Sequence, residues 1–124
     1  MTQPSSRKPV LIVEDDPDLL DMMEVVLDSA GYPVRKALNG KLALDSVAAE
    51  MPAIILLDMK MPVMDGWEFA ARFREQYGDA AVIVVVTAAA DARLRAEEIG
   101  ASDYLAKPFE IDDLVNCVAR HYRE

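Results

Sequence analysis

The stretch Ala53-Ile54-Ile55-Leu56-Leu57-Asp58 decides the fold: an unbroken apolar run closed by a carboxylate. A run of strand length that does not alternate reads as a strand buried on both faces, the habit of parallel sheets with helices packed on either side. Val10-Leu11-Ile12-Val13 and Ala81-Val82-Ile83-Val84-Val85-Val86 read the same way, and Tyr104-Leu105-Ala106 more weakly. Pro33-Val34-Arg35-Lys36-Ala37 is a fifth strand candidate, polar enough to belong at a sheet edge.

Helical patterns fill the intervals. Asp16-Pro17 reads as an N-cap with Pro at the first helical position, after which Leu20, Met23, Leu27 and Ala30 share one face until Gly31. The same signals predict helices over Lys41–Ala49 after the Asn39-Gly40 turn, Trp67–Tyr77 before Gly78, Asp91–Ile99 before Gly100, and Ile111–Tyr122. The last would present Ile111, Leu114, Val115, Val118 and Tyr122 on one face, with Asp112 and Asp113 in its first turn, where the helix dipole favours anions. Strand and helix alternate five times, which predicts a doubly wound α/β sheet.

At 124 residues the chain has the length of about one domain. It is too apolar, 52% hydrophobic, for a disordered tail. Asp and Glu outnumber Lys and Arg 22 to 13, and the net charge of −9 argues against nucleic acid as a direct partner. The single cysteine, Cys117, excludes an internal disulfide and any multi-cysteine metal site; on a helix it reads as a packing residue. No apolar run reaches the roughly 18 residues that span a bilayer, so no membrane insertion and a cytoplasmic location are expected. Residues 1–8 read as a flexible lead and 9–124 as the domain.

In an open parallel sheet, function collects beyond the carboxyl ends of the strands. Glu14-Asp15-Asp16 follow the first strand, Asp58 the third, Thr87 the fourth and Lys107-Pro108 the fifth. Carboxylates gathered on one edge repel unless a cation neutralises them, and an all-oxygen donor set without His or Cys suits Mg²⁺ with waters and a phosphate better than a calcium cage. An Asp can also act as a nucleophile toward phosphorus, with a metal, a Lys and a hydroxyl neutralising the phosphoryl oxygens. Asp16 before Pro17 and Asp65 before Gly66 read as helix caps, and His121 as a surface or dipole-complementing residue.

Together, Val13-Glu14-Asp15-Asp16, Asp58-Met59-Lys60-Met61-Pro62-Val63-Met64-Asp65-Gly66, Val86-Thr87-Ala88 and Gly100 through Phe109 resemble a response-regulator receiver domain of bacterial two-component signalling, from about Lys8 to Tyr122. The resemblance implies a flavodoxin-like, five-stranded parallel sheet of order 2-1-3-4-5 with five helices. It implies that Asp58 accepts the phosphoryl group. It further implies that Asp15 would bind Mg²⁺ directly and Glu14 mainly through water, with Lys60 lending its backbone carbonyl. By the same resemblance Lys107, in a cis bond to Pro108, would pair with the phosphoryl group, and Thr87 and Tyr104 would form a switch pair. The implied partners are a sensor histidine kinase or histidine phosphotransfer protein as donor, and a downstream protein target on the face of helix 4, strand 5 and helix 5. On this reading the chain is not an enzyme but assists its own Mg²⁺-dependent phosphorylation and dephosphorylation. Its output is expected to go through protein contacts rather than a fused effector.

Two positions depart from common choices in that family. Lys60 is a long cation where a short amide is frequent, expected either to shield the phosphoryl group or to pair with Glu14, and Ala89 offers no polar group to orient a water. A magnesium phosphohydrolase would normally carry a second Asp at position 60, and a nucleotide- or flavin-binding domain would need a Gly- or hydroxyl-rich loop where Glu14-Asp15-Asp16 stand. Retention of all the named residues argues against a degenerate receiver. Trp67 offers a fluorescent reporter near Asp58.

Overall fold

A computed structural model describes residues 7–123. Strands and helices alternate as β1 (Val10–Val13), α1 (Pro17–Ser29), β2 (Val34–Ala37), α2 (Gly40–Ala49), β3 (Ile54–Leu57), α3 (Gly66–Tyr77), β4 (Val82–Ala88), α4 (Ala92–Ile99), β5 (Asp103–Lys107) and α5 (Ile111–His121). The sheet order is β2-β1-β3-β4-β5 with every neighbouring pair parallel, as the resemblance implied.

Side-chain alternation along each strand divides the core into two layers. Leu11, Val13, Ile55, Leu57, Ile83 and Val85 face the helices α2, α3 and α4, meeting Ala43, Val47, Phe69, Phe73 and Ala96. Val10, Ile12, Ile54, Leu56, Val84 and Val86 face α1 and α5, meeting Leu20, Met23, Leu27, Leu114, Cys117 and Val118. Both faces being covered explains the continuous apolar runs: neither set of alternate residues meets water.

β2 is the polar edge strand that its sequence predicts. Lys36 reaches Glu24 and Asp21 of α1 at 2.8 and 3.2 Å, and the Arg35 Nε donates to Ser46 Oγ of α2 at 2.7 Å. These contacts tie the edge to both helix layers, and a lysine there discourages pairing with another chain.

The structure corrects several boundaries. β4 runs on to Ala88 and β5 through Lys107, so Thr87 and Lys107 lie within strands and not beyond them, because backbone pairing continues through Thr87–Ala106 and Ala88–Lys107 after the apolar runs end. Ala30 is the exposed C-cap of α1 and adds nothing to its buried face. α5 ends at His121, and its buried residues are Leu114, Cys117 and Val118. Ile111 is 56% exposed because the first turn of α5 starts past the carboxyl edge of the sheet. Of the expected flexible lead, residues 1–6 lie outside the described residues; the Arg7 guanidinium stands over the rings of Tyr32 and Tyr122, and the Tyr122 hydroxyl donates to the Lys8 carbonyl.

The loop from β3 to α3 is anchored from within. Met59 is fully buried, the Gly66 N–H donates to the Met59 carbonyl at 2.9 Å, and the Gly40 N–H donates to the Met64 carbonyl at 3.0 Å. Val63, at the tip, has φ of 72°, a left-handed conformation that a β-branched residue adopts only under strain. It is 75% exposed and contributes little packing in return. Val63→Gly is therefore expected to stabilise the fold by about 0.5–1 kcal/mol, the relieved strain outweighing the added freedom of the unfolded chain. The midpoint of urea unfolding checks this; an unchanged or lower midpoint refutes it.

Candidate functional site

The parallel register sends the exits of β1, β3, β4 and β5 to one edge. Val13 is paired with Leu57, so the residues that follow, Glu14 and Asp58, emerge side by side. The Asp58 N–H donates to the Val13 carbonyl and the Glu14 N–H to the Ala37 carbonyl, each at 3.0 Å, continuing the ladder under both carboxyl groups. Behind Asp58, Gly66 is obligatory: a Cβ there would lie 2.8 Å from the Asp58 carbonyl oxygen and 2.6 Å from Met59 Sδ.

Glu14, Asp58 and Thr87 are the buried polar or charged residues among those described, at 2%, 6% and 5% exposure. Lys107 Nζ lies 2.6 Å from Glu14 Oε1 and 3.7 Å from Asp58 Oδ2. Its peptide bond to Pro108 is cis, as the resemblance implied, and its carbonyl accepts from the Ala89 N–H at 3.1 Å. Asp15 stands at the exposed rim, and oxygens of Glu14, Asp15 and Asp58 lie within 4.8 Å of one another.

This arrangement is electrostatically strained. Burial pushes the Asp58 carboxyl up to about 7; Glu14 adds to the rise, Lys107 opposes it, and Asp15 adds further. One lysine does not offset the charge of three carboxylates. Oxygen donors alone, converging at a half-buried edge with unbalanced negative charge, fit a hard divalent cation that retains waters.

The remaining residues fall into place around this centre. Asp16 caps α1 through Oδ1, which accepts from the Asp18 N–H at 3.0 Å and the Leu19 N–H at 3.4 Å, and Asp65 caps α3 by accepting from the Glu68 N–H at 2.9 Å. Lys60 is exposed and makes no ion pair among the described residues; Glu14, one of its two expected targets, pairs with Lys107 because only the β5 exit brings a cation alongside it. Tyr104 is 41% exposed, its position on β5 one residue out of phase with the buried Leu105.

Two contacts escaped the sequence reading. The Trp67 Nε1–H donates to Glu98 Oε1 at 2.9 Å while the Arg95 guanidinium, 5.3 Å from the ring centre, pairs with the same carboxylate at 2.6 Å, linking α3 to α4. His121, expected as a surface or dipole-complementing residue, lies in the last turn of α5 and also places Nε2 2.8 Å from Asp103 Oδ2, with its side chain 23% exposed. Both partners are remote in sequence, and an isolated Trp or His carries no signal for them.

The response regulator receiver domain model matches residues 10–119. The chain belongs to this family. Among curated relatives, Transcriptional regulatory protein PrrA of Mycobacterium tuberculosis is 39% identical over 107 residues, 86% of this chain and 46% of that protein. Sporulation initiation phosphotransferase F of Bacillus subtilis is 35% identical over 113 residues, 90% of this chain and 91% of that one. The receiver thus spans about half the length of the first group of relatives and nearly all of the second. Among solved structures, a response regulator from Chloroflexus aurantiacus superposes with a TM-score of 0.85 at 36% identity, covering 93% of this chain and 97% of that one. The chemotaxis protein CheY4 of Vibrio cholerae does so at 0.83 and 29% identity, covering 94% and 99%. The receiver therefore serves two-component signalling, with a phosphoacceptor role, and no helix among its described residues is long and apolar enough to cross a membrane.

The raised Asp58 value sets a pH dependence. A carboxyl that holds its proton more tightly folded than unfolded contributes stability that is complete below about 4 and is lost as pH rises through about 7. Without divalent cations, the receiver is expected to lose stability between pH 5 and pH 8. Asp58→Asn should shrink that loss, and millimolar Mg²⁺ at pH 8 should reverse it in the wild type. Thermal unfolding across this pH range checks both, and a wild-type loss that Asp58→Asn leaves intact contradicts the assignment.

Proposed function

We propose that the receiver is a phosphoacceptor switch in which Asp58 takes a phosphoryl group from the phosphohistidine of a sensor histidine kinase or histidine phosphotransfer protein. The observation that carries this reading is the buried Asp58 carboxyl at the end of the central strand, 3.7 Å from Lys107 Nζ and beside two further carboxylates. An Asp58 oxygen attacks phosphorus in line, the P–N bond breaks, and its electron pair leaves with the donor imidazole. Lys107 pairs with the phosphoryl oxygens, and Thr87 donates its hydroxyl to one of them.

Glu14, Asp15 and Asp58, with the Lys60 backbone carbonyl, are the residues that would hold Mg²⁺. When bound, the ion would supply positive charge to offset the carboxylates and the incoming phosphoryl group. The phosphoryl group adds about −1.5 to −2 charges at neutral pH to an edge that is already acidic, and Lys107 alone does not offset them.

On this reading, movement of Thr87 toward the phosphoryl group opens space for Tyr104, 41% exposed here, to turn inward. The change alters the face formed by α4, β5 and α5, where Leu94 and Ile111, 50% and 56% exposed, offer apolar contact to a downstream protein. The net charge of −9 disfavours direct nucleic-acid contact, and the reading carries a cytoplasmic location with residues 1–8 as a lead to the domain. The chain assists its own phosphorylation and dephosphorylation and turns over no separate substrate.

Incubation with acetyl phosphate and Mg²⁺ should add the mass of one phosphoryl group to the wild type and none to Asp58→Asn. A gain retained by the variant, or no gain at all, overturns the proposal. Lys60 and Ala89 both stand exposed at this edge, where Ala89 has nothing with which to orient a water. Lys60→Asn and Ala89→Glu are therefore expected to shorten the phosphoryl lifetime, and lifetimes equal to wild type would remove both residues from the hydrolytic step.

A further inference from the structure

Away from the acidic edge, β5 and α5 bring together three side chains of a different chemical character. Cys117 and His121 stand four residues apart on α5, the spacing that puts two side chains on one helix face. Asp103, the first residue of β5, faces them, and one ligand-capable atom from each of the three lies within 4.8 Å of the others. The Asp103 Oδ2–His121 Nε2 distance is 2.8 Å.

We propose that Asp103, Cys117 and His121 form a binding site for a borderline-soft divalent ion of the zinc class, separate from the acidic phosphoacceptor edge. One thiolate, one imidazole nitrogen and one carboxylate oxygen are the donor set of a four-coordinate zinc-type centre with its fourth position left open. The all-oxygen cluster of Glu14, Asp15 and Asp58 selects a hard ion instead, so the two sites discriminate by chemistry.

The burial gradient gives the site a direction. Cys117 is 1% exposed, whereas the side chains of Asp103 and His121 are 25% and 23% exposed, so an ion would enter from the surface and meet the sulfur last. Its open position would face solvent. Entry displaces the contact between Asp103 and His121, and the ion takes the lone pair of Nε2 while the Cys117 thiol proton passes to solvent. Burial first, and the Asp103 charge second, disfavour the free thiolate at Cys117, so the sulfur would give up its proton only as the ion arrives. Arg120 is the local opponent: its NH2 group lies 3.2 Å from Asp103 Oδ2, and with a side chain 61% exposed it has room to swing away. The Tyr104 N–H, donating to Asp103 Oδ1 at 2.7 Å, holds the carboxylate in place meanwhile. An ion here would fasten α5 to β5 within the face proposed above for output.

Co²⁺ titrated into the reduced chain of 124 residues, with excess Mg²⁺ present to occupy the acidic edge, tests the proposal. A near-ultraviolet sulfur-to-cobalt charge-transfer band should grow to one equivalent, be competed away by Zn²⁺, and appear equally in Asp58→Asn. Cys117→Ala should abolish the band, His121→Ala should weaken binding by about tenfold or more, and Arg120→Gln should tighten it. Zn²⁺ should also raise the wild-type unfolding temperature and slow the reaction of Cys117 with a disulfide reagent, a readout that needs no variant. Absence of the band together with unchanged thiol reactivity overturns the site, as does a band that survives Cys117→Ala or vanishes in Asp58→Asn.

Discussion

Asp58 is held in a balance that the rest of the fold serves to maintain. Its carboxyl is buried at the end of the central strand, pushed toward protonation by desolvation and by Glu14 and Asp15, and pulled back by the ammonium of Lys107. In water such charges would move apart or be screened. Here they are fixed by the backbone pairing of β1 with β3 and of β4 with β5, which leaves the side chains little freedom to relax. The unrelieved negative charge makes this edge a place where a cation is favoured and a further anion is not, unless the cation accompanies it.

The supporting structure reads as a set of devices that keep this edge in register. Both core layers run the length of the central strands, so a slip of one residue would bury the wrong set on each face. The β3–α3 loop is pinned by Met59, by Gly66 against the Asp58 carbonyl, and by Gly40 against the Met64 carbonyl. Strain at Val63 is tolerated at the loop tip because the anchors on either side are strong.

Farther from the edge, polar contacts join elements that are remote in sequence. Trp67, Arg95 and Glu98 link α3 to α4, while Asp103 and His121 link β5 to α5. The first lies beside the proposed output face and the second within it, on the same sheet whose edge carries Asp58. The relatives include a protein of almost the same length and others about twice as long, which places the same signalling unit in different molecular settings.

Much of this was legible in the sequence. Val10–Val13, Ile54–Leu57 and Val82–Val86 announce a sheet covered on both faces, since only burial on both sides removes the need for alternation. Caps at Asp16 and Asp65 act within a few residues, and so local sequence predicts them well; Asn39, read as part of a turn, proves to cap α2. Carboxylates after the first and third strands and a Lys-Pro after the fifth were enough to locate a charged edge. What only the tertiary structure decided were relations between residues far apart in the chain. Backbone pairing, which is blind to side-chain type, carried β4 and β5 past their apolar runs and drew Thr87 and Lys107 into strands. Proximity gave Glu14 to Lys107 and not to Lys60, 93 residues apart in sequence but 2.6 Å apart in space. The same holds for His121 and Asp103: hydrophobic period and capping act over one or two turns, whereas an ion pair acts through space and has no period to read.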